Sequence, residues 1–225
     1  MPTAEFIALK SRLEKLALSL PDATIARAAL TPDQEEEISF FSITAHATCE
    51  HFMEERCLIA ATKSYDDYNN SSFFGRIAKH LCVMPFVTVP KDQNDLKKMI
   101  KVYGGKGFGI SVTPSFHGSN ANELKELIHI GYQKYKQIVV NNHGMGLKYQ
   151  FSLIAMLGQD VSQFDPTFRT RVSQLATLRG EAAHNAVVAA QTIPEPSDLA
   201  QWTTDLIAGY RRLDTALVKL CKRKQ

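Results

Sequence analysis

Apolar residues recur at three- and four-residue steps through most of this chain, and this spacing is the feature that most limits its fold. Residues three or four positions apart lie on one face of an α-helix, so each such run predicts an amphipathic helix. The first run predicts a helix that Pro21 ends, with an apolar face of Phe6, Leu9, Leu13, Leu16 and Leu20. A second, short helix is predicted from Ala23 to Leu30. The chain is therefore predicted to be all-α, an up-and-down helical bundle.

Two helix starts are marked by residues that cap free backbone N–H groups. Thr31 and Gln34 have the spacing of a capping box, with Pro32 at the first helical position. The long helix that follows is predicted to bury Ile38, Phe41, Ala45, Cys49, Phe52 and Ile59. Asp165, followed by proline, marks a later helix that is predicted to reach Gln191. Three further helices are predicted to begin near Ala121, Leu147 and Ser197.

The helical pattern is interrupted between residues 63 and 119. The stretch SYDDYNNSSFFG, residues 64–75, is rich in turn-forming and aromatic residues, and several glycines follow it. We interpret residues 63–119 as a partly irregular insertion that decorates a single helical domain spanning residues 1–225. Lysines crowd this region, and Lys97 and Lys98 are candidates for contacts with substrate phosphates. A solvated surface is the alternative interpretation of the same lysines.

Composition and charge narrow the class of protein without naming a function. The chain has 44% hydrophobic and 22% charged residues, as an ordinary globular protein does. Its net charge of +3 is too small to indicate a nucleic-acid partner by itself. The first residues, MPTAEFIALKSRLEKL, lack the apolar core of a signal peptide, and no run is long enough to span a membrane. We therefore expect a cytoplasmic protein without membrane association, whose four cysteines are reduced.

The segment LRGEAAHN, residues 178–185, combines a guanidinium, an imidazole and small side chains on one predicted helix. Helical spacing places Arg179 in the middle of an apolar face, where a guanidinium needs an anionic partner or an opening to solvent. That face comprises Phe168, Val172, Leu175, Ala182 and Ala186. His184 lies about 140° further round the helix, and Gly180 would let another backbone, helix or ligand approach closely. Spacing alone favours a structural ion pair beside an unrelated histidine over a functional site.

An Arg-x4-His motif near the end of a long helix, in an all-α chain, resembles the HEPN superfamily (higher eukaryotes and prokaryotes nucleotide-binding). In that family the R-x4-6-H motif marks metal-independent endoribonucleases, many of which are toxins or effectors of antiviral defence. The earlier helix segment SITAHATCEHF is similar to the acidic-residue helix of the HEPN group linked to RiboL-PSP proteins, with Glu50 at the acidic position. The resemblance covers roughly residues 30–60 and 120–215. It implies cleavage of RNA by attack of its own 2′-hydroxyl group.

The resemblance also implies roles for individual residues and for partners. Arg179 would hold the phosphate, His184 would act as acid or base, and Glu50 would orient one of them. The family often has a polar residue directly after the arginine, where this chain has Gly180, and Glu181 or Asn185 would serve in its place as substrate-binding residues. A homodimer would bring two motif helices to one cleft. An antitoxin or other defence protein is an implied partner, and no metal or other cofactor is expected.

Three other interpretations stay open. A HEPN module that has lost cleavage would bind RNA, a nucleotide or a partner protein, and the departure at Gly180 favours it. A helical scaffold with no site is the second. The third is a zinc site formed by His46, Cys49, His51 and Cys57, which we consider improbable because His51 points away from His46 and Cys49 on the predicted helix.

Overall fold

The structure, a computed structural model, describes residues 1–86, 121–142, 144, 146–185 and 193–222. These residues are helical, with no β-strand among them, so the prediction of an all-α helical bundle is confirmed. The α-helices are α1 (Ala4–Ala17), α2 (Pro32–Ser71), α3 (Arg76–Val83), α4 (Ala121–Val140), α5 (Leu147–Met156), α6 (Pro166–Asn185) and α7 (Pro196–Leu220). Within the described ranges, no helix combines the length and apolar character that crossing a bilayer requires.

Both predicted capping signals are confirmed. At the start of α2, Thr31 Oγ1 accepts a hydrogen bond from the Gln34 N–H at 3.3 Å, and Gln34 Oε1 accepts one from the Thr31 N–H at 3.0 Å. At the start of α6, Asp165 Oδ1 accepts from the N–H groups of Thr167 at 2.8 Å and Phe168 at 3.4 Å. These bonds satisfy donors that have no partner within the helix, so the two helices begin where the sequence predicts.

The prediction of a helix from Ala23 to Leu30 is wrong, because only the 3₁₀ turn Arg27–Ala29 forms there. Asp22 Oδ1 accepts hydrogen bonds from the Thr24 N–H at 2.8 Å and from its hydroxyl at 2.7 Å. The Arg27 N–H donates to Glu195 at 2.8 Å. These side-chain acceptors take N–H groups that a continuous helix would have used.

The prediction of irregular, turn-rich structure from residue 64 is wrong for residues 64–71, because α2 continues to Ser71. Lys63 forms an ion pair with Asp67, one turn later, at 3.1 Å. Tyr65 stacks on Tyr132 of α4, with ring centroids 4.5 Å apart. This tertiary contact stabilises a segment whose Asp and Asn residues have modest helix propensity. The predicted break comes later, where Ser72 adopts a φ of 54°.

The chain divides into two compact units. The first comprises Met1–Phe52, Gly144–Leu147 and Phe164–Asp214, and the second comprises Met53–His143, Lys148–Gln163 and Thr215–Gln225. Helices α2 and α7 supply residues to both units. The interpretation of residues 1–225 as a single domain with an insertion at 63–119 stays a prediction, and residues 87–119 lie outside the described part of the chain.

The first unit is built around aromatic side chains from four helices. The predicted face of α1 is confirmed for Phe6, Leu9, Leu13 and Leu16, which are all at most 5% exposed. The last predicted member, Leu20, is half-buried and lies beyond the end of the helix at Ala17. Ring centroids lie 6.4 Å apart for Phe6 and Phe52, 5.5 Å for Phe52 and Tyr210, and 5.0 Å for Phe168 and Tyr210. Each pair meets edge to face, the arrangement that the aromatic quadrupole favours. Residues from α1, α2, α6 and α7 thus share one core.

A buried carboxylate joins α1 to α7 within the first unit. Asp214 is 1% exposed, and its two oxygens accept hydrogen bonds from the Thr3 N–H at 3.1 Å and the Thr3 hydroxyl at 2.9 Å. Thr3 Oγ1 in turn accepts from the N–H of Phe6 at 3.3 Å and caps α1. The charge of Asp214 is therefore stabilised by donors at the beginning of the first helix.

In the second unit, α3 and α4 approach so closely that one position requires glycine. A Cβ at Gly131 of α4 would lie 1.8 Å from the carbonyl oxygen of Leu81 in α3. The same unit buries Tyr135, whose hydroxyl donates to the Leu153 carbonyl at 3.0 Å.

The predicted core position Ile59 of α2 is wrong, because its side chain is 37% exposed. Cys57 is fully buried instead, so a different face of α2 packs against the core in this unit.

We expect Gly131→Ala to lower the free energy of unfolding by about 1–3 kcal/mol, because the added methyl group would force α3 and α4 apart. Urea denaturation followed by circular dichroism measures this loss. Gly180→Ala in α6 is the matched control, because a Cβ there would meet no heavy atom of the described residues within 4 Å. It should raise stability by up to about 1 kcal/mol, through helix propensity alone. Equal unfolding midpoints for the two variants would contradict this account of the α3–α4 contact.

Candidate functional site

The position of α6 in the first unit is fixed by contacts with α7. Arg171 donates from Nε to Asp205 at 2.8 Å, and its guanidinium lies 5.5 Å from the centroid of the Trp202 ring. Arg212 of α7 donates to Asp165, the residue that caps α6, at 2.8 Å. With both its start and its first turns held, α6 has a defined rotation, and this rotation decides which side chains of its later turns face solvent.

Arg179 is exposed, so the prediction that it lies in the middle of the apolar face of α6 is wrong. Leu178, 3% exposed, occupies that place between Leu175 and Ala182, which are also buried. A helical period of 3.6 residues puts the next core position after Leu175 between 178 and 179, and spacing alone does not choose between them. A guanidinium predicted to lie within an apolar face needs either an anionic partner or an opening to solvent, and for Arg179 the structure provides the opening to solvent. An exposed guanidinium can meet an anionic ligand.

Helix α2 contributes an imidazole and a carboxylate, one turn apart, to the same unit. His46 is 6% exposed, and its Nδ1 lies 3.8 Å from Oε2 of Glu50. The Glu50 side chain is 24% exposed, so its carboxylate can be reached from solvent. The buried ring thus lies against a half-buried carboxylate.

Burial, and after it the positive charge of Arg179, lowers the pKa of His46 to about 4. At neutral pH the ring is therefore uncharged, and the contact with Glu50 joins a neutral imidazole to a carboxylate rather than two ions. The electrostatic effect of Arg179 on His46 also relates the two helices. The structure brings Arg179 of α6 into the neighbourhood of His46 of α2, and His46 lies beside Glu50.

The remaining predicted site residues are placed less fully. Glu181 is half-buried on α6. His184 and Asn185 belong to the last turn of α6, but their side chains lie outside the described part of the structure. Lys97 and Lys98 lie outside it entirely. The roles of these residues stay predictions.

The surface of α6 beside Arg179 carries small residues, with no other side chain packed over Gly180 in the described part of the chain. Gly180 has space around it, and Ala183, three residues later, is exposed. Gly180 is therefore not required by packing within the described part of the chain. It leaves room for a group from outside this part to approach the helix backbone.

The described residues contain no group of three or more His, Cys, Asp and Glu side chains that could hold a metal ion. Burial raises the pKa of the Cys49 and Cys57 thiols to about 12 in each case. The zinc interpretation of His46, Cys49, His51 and Cys57 gains no support from these side chains.

His46 is the member of this group that sequence reasoning considered only as a zinc ligand. Its spacing of four residues from Glu50 is visible in the sequence, and it predicts that the two side chains are neighbours on a helix. The nearness of His46 to Arg179 depends on the packing of α2 in the first unit, which the local pattern does not encode.

Comparisons of the chain with protein-family models, with curated proteins and with solved structures found no match.

We expect stability to fall as pH decreases from about 6.5 to about 4, because His46 and the buried His80 each have a pKa near 4 in the folded state. The unfolded chain, with histidine pKa values near 6.5, then binds protons that the folded chain does not. Above this range both states are neutral, and the two histidines add no pH dependence.

Thermal unfolding of the wild type, His46→Asn and His80→Asn measures this effect across the same pH range. Asparagine does not titrate, so each variant should show a shallower decline of melting temperature with acidification. Identical slopes for all three proteins would contradict the neutral state of the buried histidines.

Proposed function

We propose that the chain is a metal-independent endoribonuclease of the HEPN type. The observation that carries this proposal is the exposed guanidinium of Arg179, close to the buried His46 and its Glu50 neighbour in the same unit. These are residues of the two helices on which the resemblance rests. An exposed cation suits an anionic substrate such as RNA.

The proposed reaction requires three contributions. The 2′-oxygen attacks phosphorus, the bond from phosphorus to the 5′-oxygen breaks, and the products are a 2′,3′-cyclic phosphate and a 5′-hydroxyl. A base must take the proton from the 2′-hydroxyl, and an acid must give one to the departing 5′-oxygen. Arg179 can bind two phosphate oxygens and offset the charge that develops on them. His184, five residues later on α6, is the proposed acid or base.

A homodimer is part of this proposal. One histidine cannot easily serve as base on one side of the phosphate and acid on the other during a single in-line transfer. A two-fold axis beside α6 would bring a second Arg179 and a second His184 to the same phosphate. The open space at Gly180 and the exposed Ala183 would allow two α6 helices to adjoin. In the cell we propose a cytoplasmic toxin or antiviral effector, held in check by an antitoxin or another defence protein.

A non-catalytic HEPN module is the second candidate function. Gly180 replaces the polar residue that often follows the arginine in the family, and a glycine provides no side chain for catalysis. Such a module would bind RNA, a nucleotide or a partner protein through Arg179 and would leave the phosphodiester bond intact.

We expect the purified protein to cleave RNA with EDTA present and to leave 2′,3′-cyclic phosphate and 5′-hydroxyl ends. Arg179→Ala should reduce cleavage by about 10²-fold or more, because it removes the main stabiliser of the transition-state charge. Arg179→Lys should lose nearly as much, since an ammonium cannot form the two-pronged contact. Denaturing gels and end-group analysis of the fragments measure these outcomes.

Arg12→Ala is the matched control, because Arg12 is an exposed arginine on α1 of the same unit. It should cleave like the wild type. DNA, and RNA without a 2′-hydroxyl at the scissile nucleotide, should resist. Fragments with 3′-hydroxyl and 5′-phosphate ends would refute the mechanism. RNA binding that needs Arg179 but produces no fragments would favour the non-catalytic module.

We expect Ala183→Trp to weaken dimerisation and cleavage together, because the indole would occupy the space in which two α6 helices adjoin. Its helicity should match that of the wild type, since Ala183 is exposed within the chain. Analytical ultracentrifugation and the cleavage assay, run on the same samples, provide the comparison. A wild-type protein that is monomeric at micromolar concentration and still cleaves RNA would refute the composite site.

A further inference from the structure

The proposed reaction uses Arg179, Glu50 and His184 and leaves His46 without a role, although His46 lies among these residues. Its ring is 6% exposed, and its Nδ1 is 3.8 Å from the carboxylate of Glu50. It is also close enough to Arg179 to respond to the charge of the guanidinium. A buried ionisable side chain beside two charged groups is a common mark of a functional site.

We infer that His46 is a positioning residue, whose buried imidazole holds the Glu50 carboxylate in the site that Arg179 shares. This inference rests on the proposed function, because it assigns His46 to the same phosphate site. His46 does not touch the reacting atoms under this inference, and it acts through Glu50.

Geometry supports the positioning role. The imidazole and the carboxylate are four residues apart on α2, so both move with one rigid helix. The ring is enclosed, whereas the carboxylate is partly exposed, so the ring limits the orientations of an otherwise flexible side chain. A neighbour such as His46 can hold the Glu50 carboxylate within a fraction of an ångström of its working position.

The neutral state of His46 supports the same role. A protonated ring would add a second cation beside Glu50 and would compete with Arg179 for the carboxylate. Because the pKa of His46 is lowered to about 4, its ring is neutral at neutral pH. Among His46, Glu50 and Arg179, the positive charge then belongs to Arg179. The imidazole can therefore give the carboxylate a polar neighbour without adding charge.

Packing alone is a poor explanation of a histidine at this position. Its buried neighbours within one turn of α2 include Ala45 and Cys49, as well as Ser42. An apolar residue could fill the same volume without the unfavourable transfer of an imidazole out of water. The two explanations differ in whether a ring nitrogen is required, and this difference can be measured.

The test compares His46→Asn with His46→Leu in the RNA cleavage assay. The asparagine amide nitrogen can occupy the place of Nδ1, so His46→Asn should keep kcat within about threefold of the wild type. Leucine fills the volume without a polar atom, so His46→Leu should lose kcat by about tenfold or more, with a smaller change in KM. Equal activity of His46→Leu and the wild type, or equal loss in both variants, would overturn the inference.

His80→Leu is the matched control, because His80 is a histidine of similar burial and lowered pKa in the second unit. It should change thermal stability but leave kcat unchanged for the folded protein. A loss of kcat equal to that of His46→Leu would assign the effect to general destabilisation and overturn the inference.

A second measurement keeps the inference testable if the wild type does not cleave RNA or if His46→Leu does not fold. NMR titration of the His46 ring in the wild type and in Arg179→Ala reads the coupling of the two side chains directly. The pKa of His46 should rise from about 4 when the guanidinium is removed. An unchanged pKa would refute the shared site, whereas a risen pKa without RNA cleavage would refute only the proposed function.

Discussion

The candidate site depends on the fully buried ring of Tyr210. This one side chain of α7 meets Phe52 of α2 and Phe168 of α6, both edge to face, so it links the two helices that carry the site. Phe168 can reach it because the neighbouring position is Gly209, where a Cβ would lie 2.0 Å from the Phe168 ring. Glu50 lies two residues before Phe52, and Arg179 lies three turns after Phe168. Aromatic packing therefore connects the two helices that carry the carboxylate and the guanidinium.

Charge in the site is sparse, and this shapes both candidate functions. The described group offers one exposed guanidinium, one half-buried carboxylate and one neutral ring. Under the proposed function, a phosphate binds Arg179 near the negative charge of Glu50, so the carboxylate weakens binding of the ground state while it orients the cation. Catalysis benefits from such a balance, because charge stabilisation is most useful when it is strongest in the transition state. A module that only binds RNA gains nothing from the carboxylate.

Local patterns predicted the helix class, the caps of α2 and α6, and most of the buried face of α1, because those features depend on residues only three or four positions apart. They failed where a choice depended on distant contacts. Arg179 and Leu178 fit the helical period almost equally well, and the anchoring of α6 on α7 through Arg171 decided between them. The continuation of α2 to Ser71 likewise involves Tyr132, 67 residues after Tyr65 in sequence. In the site, the resemblance implied that Glu50 belongs with Arg179, and spacing placed His46 beside Glu50, but neither predicted that His46 lies near Arg179.

The hydrogen bonds between Thr3 and Asp214 join residues 211 positions apart, and this separation bears on the order in which the chain folds. During synthesis α1 leaves the ribosome before α7, and the carboxylate that accepts hydrogen bonds from Thr3 is made 211 residues later. Until then Thr3 lacks Asp214, and the Phe6 ring lacks the Arg211 guanidinium that lies 6.0 Å from its centroid. Closing so long a loop is slow compared with forming the helix itself. The nascent chain therefore exposes the apolar face of α1 until α7 has emerged, and only then can the first unit reach its final packing.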